Sequence, residues 1–257
     1  MLKASYQSAL RFAKIGMAVA KTKNIANPEQ HNIAKRALAL HFADARGTTM
    51  KLGQLLAAAA SDDNFDALLK GIPAVPLAIM GPVIADALGA PLDTVFASIE
   101  ESTNAASLGQ VHSARLLNGE QVAVKVQYPD IATRVNAEIG LLGLMPGIGP
   151  VKQWGFDLVA YKLSFKANMD RELNYLAEAK IQQTFQQDVR LEGLTVPHVY
   201  PEYSSEKLLV QSWHDGEFID GISHWPQADR RRAGEIVLGT LFKSLFEAVF
   251  FFQAEDG

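Results

Sequence analysis

Apolar residues recur every three or four positions from about Ser5 to Val19 and from about His31 to Ala60, in stretches rich in Ala, Leu and Lys. That period predicts two helices. Pro73, Pro76, Gly81 and Pro82 then punctuate the chain, Ile84 to Leu88 fits a short helix ended by Gly89 and Pro91, and Leu92 to Ile99 is a short element whose type the pattern leaves open. Beyond it the period changes to two. Gly109 to Leu117 and Gln121 to Gln127 predict strands joined by Asn118-Gly119, a strong hairpin signal. Helical periodicity returns over Ile131 to Met145 and Asp157 to Gln187, separated by Pro146, Gly147, Gly149 and Pro150. Thr195 to Tyr200 and Lys207 to Trp213 predict two more strands around a Pro201 to Glu206 turn, and Asp229 to Phe252 a last helix. No internal repeat or low-complexity tract interrupts this order.

Composition narrows the chemistry. With 257 residues, 48% of them hydrophobic, the chain can bury a sizeable core. Its most apolar stretch, Leu238 to Phe252, carries Lys243, Ser244 and Glu247 and is too short and polar to span a bilayer. The first helix, with Lys3, Arg11 and Lys14 among apolar residues, is first an ordinary helix packing one face and second a membrane-surface helix; it lacks the apolar core and cleavage site of a secretory signal. The absence of cysteine excludes disulfides, thiolate nucleophiles and cysteine-ligated metals. A net charge of −4 gives no basic field for nucleic acid, and none is expected as a partner. The six His are scattered without zinc-motif spacing, so no metal site is assigned, and Arg230-Arg231-Arg232 fits a solvated first helical turn.

The sharpest chemical signal lies in the hairpin. Ala105-Ala106-Ser107-Leu108-Gly109 precedes its first strand, and Val122-Ala123-Val124-Lys125 lies in its second. A nucleotide-binding lobe uses this layout because only small side chains let backbone N–H groups approach phosphate oxygens, while a strand fixes a Lys firmly beside them. Alone, Val-Ala-Val-Lys equally fits an edge strand with a solvated Lys. A phosphate-facing Lys needs a carboxylate to hold it, and the helix carrying Arg171 to Ala179 offers Glu172 and Glu178, six apart and so able to face one side of a continuous helix. Further on, Leu208 to Ser212 runs into Trp213-His214-Asp215-Gly216, an apolar strand entering a short polar-aromatic linker of the kind that receives an adenine base between two lobes.

These segments resemble the UbiB-type atypical protein-kinase-like family, whose members are linked to coenzyme Q biosynthesis. Lys51-Leu52-Gly53-Gln54, within Arg46 to Leu56, matches its Lys-x-Gly-Gln motif. Ala105 to His112 resembles its alanine-rich loop, Val122 to Pro129 its lysine strand, and Glu172 to Ala179 its Glu-x-Asp segment followed by Glu-Ala. The resemblance spans roughly Arg46 to Gly216, with its segments in the family's order. It implies an α+β, protein-kinase-like fold: an N-terminal helical extension (residues 1–91), an N-lobe with an antiparallel sheet and hinge (92–216), and only the start of a helical C-lobe (217–257).

By the same resemblance, Lys125 contacts ATP phosphates and pairs with Glu178, the two catalytic positions. Ala105, Ala106, Ser107, Leu108, Gly109, Gln110, Val111, Ala123, Gln211, Ser212 and Trp213 line the cofactor. Lys51 and Gln54 gate the cleft, with Lys51 reaching toward Glu172 and Asn174, which favours ATPase or small-molecule chemistry over protein phosphorylation. Asn174 stands where the family has Asp, so its hold on Lys51 carries no charge. Magnesium belongs to the intact protein, since the catalytic-loop and metal-binding residues of the family lie beyond the last helix and Phe252-Gln253-Ala254 is followed by Glu255-Asp256-Gly257, a non-native-looking end. The function implied is ATP-dependent kinase or ATPase activity supporting ubiquinone biosynthesis, in a cytoplasmic protein with peripheral membrane contact. A lipid or quinone-like molecule and ubiquinone-biosynthesis enzymes are its implied partners, and the oligomeric state is left open. The alternative is a noncatalytic, pseudokinase-like scaffold that responds to ATP or lipid.

Overall fold

In a computed structural model of the chain, the described residues are 73–102, 104–141, 158–219 and 221–247, with single positions between 10 and 34. Positions 10, 13, 14 and 17, then 29, 30, 33 and 34, are helical, as the periodicity predicts. Asn27 accepts hydrogen bonds from the N–H groups of Glu29 and Gln30, so the second helix starts at a capping side chain ahead of His31.

The centre is a five-stranded antiparallel sheet. Its strands are β1 (Phe96–Ile99), β2 (Asn104–Ala105), β3 (Gly109–Leu116), β4 (Gln121–Gln127) and β5 (Leu208–Ser212), in the order β1-β3-β4-β5, with β2 also pairing β3. The helices described over their full length are α1 (Leu77–Leu88), α2 (Ile131–Leu141), α3 (Leu158–Glu172), α4 (Tyr175–Asp188) and α5 (Gln227–Phe242). This is the α+β architecture of a protein-kinase-like N-lobe.

Period-two alternation gives the sheet two different faces. Val122, Val124 and Val126 of β4, Leu208 and Val210 of β5, and Ala114 and Leu116 of β3 point into one core. Met80 and Ile84 of α1, Ile131, Val135 and Ile139 of α2, and Phe165 and Met169 of α3 close over it. Helix α1 belongs to the stretch assigned to the N-terminal extension, yet it shares this core with the sheet. On the opposite face the pairings Val111↔Lys125↔Leu209 and Ser113↔Ala123↔Gln211 set six side chains in two rows. There α4 lays down Tyr175 and Ala179 against Leu209 and Val199 in a second, smaller apolar cluster.

Several expected elements differ in extent. Helix α1 begins at Leu77, well before Ile84: Pro76 stands at its N-cap, and the helix continues through Pro82, which gives up one intrahelical hydrogen bond because it has no N–H. It ends on Gly89 at φ 73°, a left-handed cap that glycine takes without strain. Leu92 to Ile99 divides into a 3-10 turn and strand β1. The Asn118-Gly119 hairpin forms with positive φ at Gly119 but not at Asn118, so it is not the two-residue turn that needs both residues left-handed. Instead Leu116 N–H donates to Glu120 O at 2.9 Å across a three-residue loop. Thr195 to Tyr200, expected as a strand, contributes an isolated bridge between Val199 and Gln211. Pro197 and Pro201, which carry no N–H, bound the stretch that can pair.

The predicted helix from Asp157 to Gln187 is two helices. The chain leaves α3 at Leu173 and re-enters at Asn174, whose φ of −114° and ψ of 91° are extended and whose Oδ1 accepts the Ala177 N–H at 3.1 Å. Asn174 is therefore the N-cap of α4. Long-range contacts fix the elbow: Tyr175 N–H donates to Glu206 O at 3.0 Å, and the buried Gln127 side chain donates to both Leu173 O (2.6 Å) and Glu206 O (3.1 Å). Among the described residues no helix is long and apolar enough to cross a membrane.

Candidate functional site

The site starts from Lys125 in the middle of β4, paired on both sides and on the face that α4 covers. Its Nζ donates to both carboxylate oxygens of Glu178, at 2.7 and 2.8 Å. An ammonium has three donors, so this pair leaves one. The two side chains are 31% and 39% exposed, which places the ion pair at an opening and not in the core. Glu178 lies in the first turn of α4, where its charge also complements the positive end of the helix dipole.

Tyr175 completes this cluster. The Lys125 ammonium stands 4.6 Å from the centre of its ring. The residue is only 2% exposed. Burial, and after it the Glu178 carboxylate, pushes its hydroxyl above the usual phenol range, so the side chain is neutral. Sequence reasoning passed over Tyr175 although it follows Asn174 directly, because an aromatic residue at helical spacing has the pattern of ordinary core.

The small-residue turn sits beside this cluster. Ala106 N–H donates to Gly109 O at 2.8 Å and closes a tight turn over Ser107 and Leu108. Gly109 is required by close approach: a Cβ there would lie 2.2 Å from Val126 O and 3.0 Å from the Tyr175 hydroxyl. Two side chains of the expected cofactor lining turn elsewhere. Leu108 joins the main core. Gln110, 0% exposed, accepts the Val75 N–H on Oε1 and donates to Val75 O from Nε2, each at 2.8 Å. Its Nε2 also lies 3.0 Å from His112 Nε2, while His112 Nδ1 is 2.8 Å from Glu100 O. A carbonyl only accepts, so this network assigns the His112 proton to Nδ1 and makes Nε2 the acceptor for Gln110. Gln110 thus ties the strand to the segment entering α1, and what the turn can offer a ligand is its backbone. Ala105 pairs with Gln110 and Val111 with Asn104 through β2 and β3.

Along β5, Gln211 faces Ala123 on the Lys125 side of the sheet, and its Oε1 is enclosed without a hydrogen-bond partner. Ser212 exchanges hydrogen bonds with His198: its N–H donates to His198 O at 2.8 Å, and its Oγ accepts the His198 N–H at 2.9 Å. Trp213 N–H donates to Gln121 O, and its indole N–H donates to Asp215 at 2.8 Å. The strand-to-linker passage expected as a hinge is therefore held at both edges.

Of the expected gating set, Lys51 and Gln54 lie outside the described residues. Glu172 and Glu178 do not share one helix face, since the elbow at Asn174 places them on different helices. The Asn174 oxygen is occupied in capping α4. Ala254 to Gly257 also lie outside the described residues. Among the described residues no group of three or more His, Asp or Glu side chains converges as a metal site.

The sequence profile of the ABC1 atypical kinase-like domain matches residues 67–255. The chain is 28% identical to the atypical kinase coq-8 of Caenorhabditis elegans, with 81% of this chain and 28% of that protein covered. It is 27% identical to the mitochondrial atypical kinase COQ8 of Saccharomyces cerevisiae, with 69% and 37% covered. An uncharacterized Mycobacterium tuberculosis protein is 30% identical over 86% of this chain and 47% of its own length. The chain thus spans less than half the length of each of these three relatives. Among solved structures, the Mycobacterium tuberculosis protein Rv3197, in complex with erythromycin, superposes with a TM-score of 0.52 at 28% identity, over 79% of this chain and 54% of that one. The chain belongs to the ABC1 atypical kinase-like family, the UbiB-type family that its alanine-rich turn and lysine strand resemble.

Proposed function

We propose that the intact protein binds ATP in the opening between the Ala106–Gly109 turn, Lys125 and β5, and uses it in kinase-like or ATPase chemistry that supports ubiquinone biosynthesis. The observation that carries this reading is the ion pair between Lys125 and Glu178, with both carboxylate oxygens within 2.8 Å of Nζ. A strand lysine held by a helical carboxylate is how a kinase-like lobe presents a positive charge to the α and β phosphates. The residues fit such a ligand: the ammonium is partly exposed and keeps one donor beyond the carboxylate. The Oε1 of Gln211 is enclosed and without a partner on the same sheet face, which suits a base edge that could donate to it. ATP, when bound, supplies the phosphoryl group. Lys125 neutralises phosphate charge, Glu178 aims Lys125, and the turn contributes backbone N–H groups. Magnesium would be held by residues of the intact protein outside this cluster.

The name COQ8, carried by yeast and nematode relatives, accompanies the words atypical kinase, and this supports the same reading at the level of activity class. The test is magnesium-dependent ADP release by the intact protein with and without Lys125→Ala. Release that depends on Lys125 supports the enzyme. Nucleotide binding without release supports the noncatalytic scaffold. Equal release by both proteins overturns the site.

A further inference from the structure

We propose that Tyr175 is a positioning residue for Lys125, holding the ammonium against the sheet by a cation–π contact so that the lysine stays aimed while its remaining donor engages phosphate. This rests on the nucleotide reading of the site and deepens it.

The geometry supplies the argument. Nζ lies 4.6 Å from the ring centre, inside the roughly 6 Å within which a cation is attracted to an aromatic face. The ring is almost fully buried, which spares the contact most of the screening by water. It cannot drift: its backbone N–H is tied to Glu206 O at 3.0 Å, and its side chain packs with Ala179, Val199 and Leu209. Its hydroxyl end reaches the turn at Gly109, so one rigid side chain spans from the lysine to the phosphate loop.

The ion pair with Glu178 does not fix Lys125 alone. Both partners are about a third exposed, and a lysine is a point charge on a four-carbon flexible stem. An incoming phosphate also pulls on the ammonium through the donor that Glu178 leaves unused. A ring face attracts the charge as a whole and requires no N–H aimed at an oxygen. Tyr175 can therefore keep the ammonium in place while its remaining donor engages phosphate.

Two readouts on the full chain test this. The first is the NMR shift of the Lys125 ε-methylene, assigned with Lys125→Arg. A methylene next to a ring face is shifted upfield, and the shift should persist in Tyr175→Phe and vanish in Tyr175→Leu. The second is ATP affinity by calorimetry with phenylalanine and its mono-, di- and trifluorinated analogues at position 175. Fluorination drains the ring face with little change of shape, so affinity should fall stepwise, about ten-fold over the series. A Lys125 shift unmoved by Tyr175→Leu overturns the proposal, and so does a flat fluorination series in a protein that binds ATP. If the wild-type chain binds no ATP, the nucleotide reading fails, and the methylene shift alone decides whether Tyr175 holds Lys125.

Discussion

Lys125 and Glu178 separate what holds the fold from what would hold a ligand. Their ion pair is geometrically close yet about a third exposed, and pairs of that kind contribute little to stability once side-chain entropy and screening are counted. Glu178→Gln should therefore cost less than about 1 kcal/mol in urea denaturation. The same substitution should weaken ATP binding several-fold, because Lys125 loses its charged partner. A large stability loss with unchanged affinity would make the pair structural. Tyr175 gives a prediction of opposite kind. Burial first, and Glu178 second, raise its hydroxyl above the ordinary value of 10.0. The folded state then holds that proton more tightly than the unfolded chain, so its contribution is whole below about pH 10 and is lost as pH rises beyond it. Denaturation midpoints between about pH 9 and 11 should fall more steeply for the wild type than for Tyr175→Phe. Parallel curves would contradict this.

At the scale of elements, the elbow between α3 and α4 decides where Glu178 and Tyr175 stand. Asn174→Ala removes the cap on the Ala177 N–H and should cost about 1 kcal/mol, visible as a lower melting temperature. Asn174→Asp should stay within about 0.5 kcal/mol of the wild type, since the two residues cap equally well. A large loss in the Asp variant would mean that Asn174 acts through its amide nitrogen instead. This elbow also marks where sequence reasoning stops. The strands of the hairpin were legible because alternation and Asn118-Gly119 are local signals. The break at Asn174 was not, because the residues from Arg171 to Ala179 suit a helix well enough. What bends the chain is distant in sequence: Gln127 and Glu206 bind the backbone on either side of the break. Gln110 was misplaced for a similar reason. The period of two shows that a polar residue lies in a strand but not that its partner is the Val75 backbone, thirty-five residues earlier.

Over the whole described molecule, one sheet divides the labour between its faces. One face is sealed by α1, α2 and α3 around the main apolar cluster, and the other carries Lys125, Ala123, Val111 and Gln211 beside α4. The division follows from the register: the lysine occupies an alternate position from Val124 and Val126, so the strand that anchors the core also points its charge away from it. The lysine strand was readable from a short run of residues, whereas the α+β class and the choice of Glu178 over Glu172 came from the resemblance of several segments in their order. The aromatic floor beneath Lys125 needed the fold, since only packing brings Tyr175 under β4. Nucleotide binding on this face through Lys125 is what the proposed chemistry depends on. Its most direct test is an ATP titration of the chain by calorimetry, beside the Lys125→Ala variant with its folding checked by circular dichroism. Saturable binding to the wild type, reduced at least ten-fold in a folded variant, is the predicted result. Equal affinity in the two proteins, or no binding to either, would contradict it.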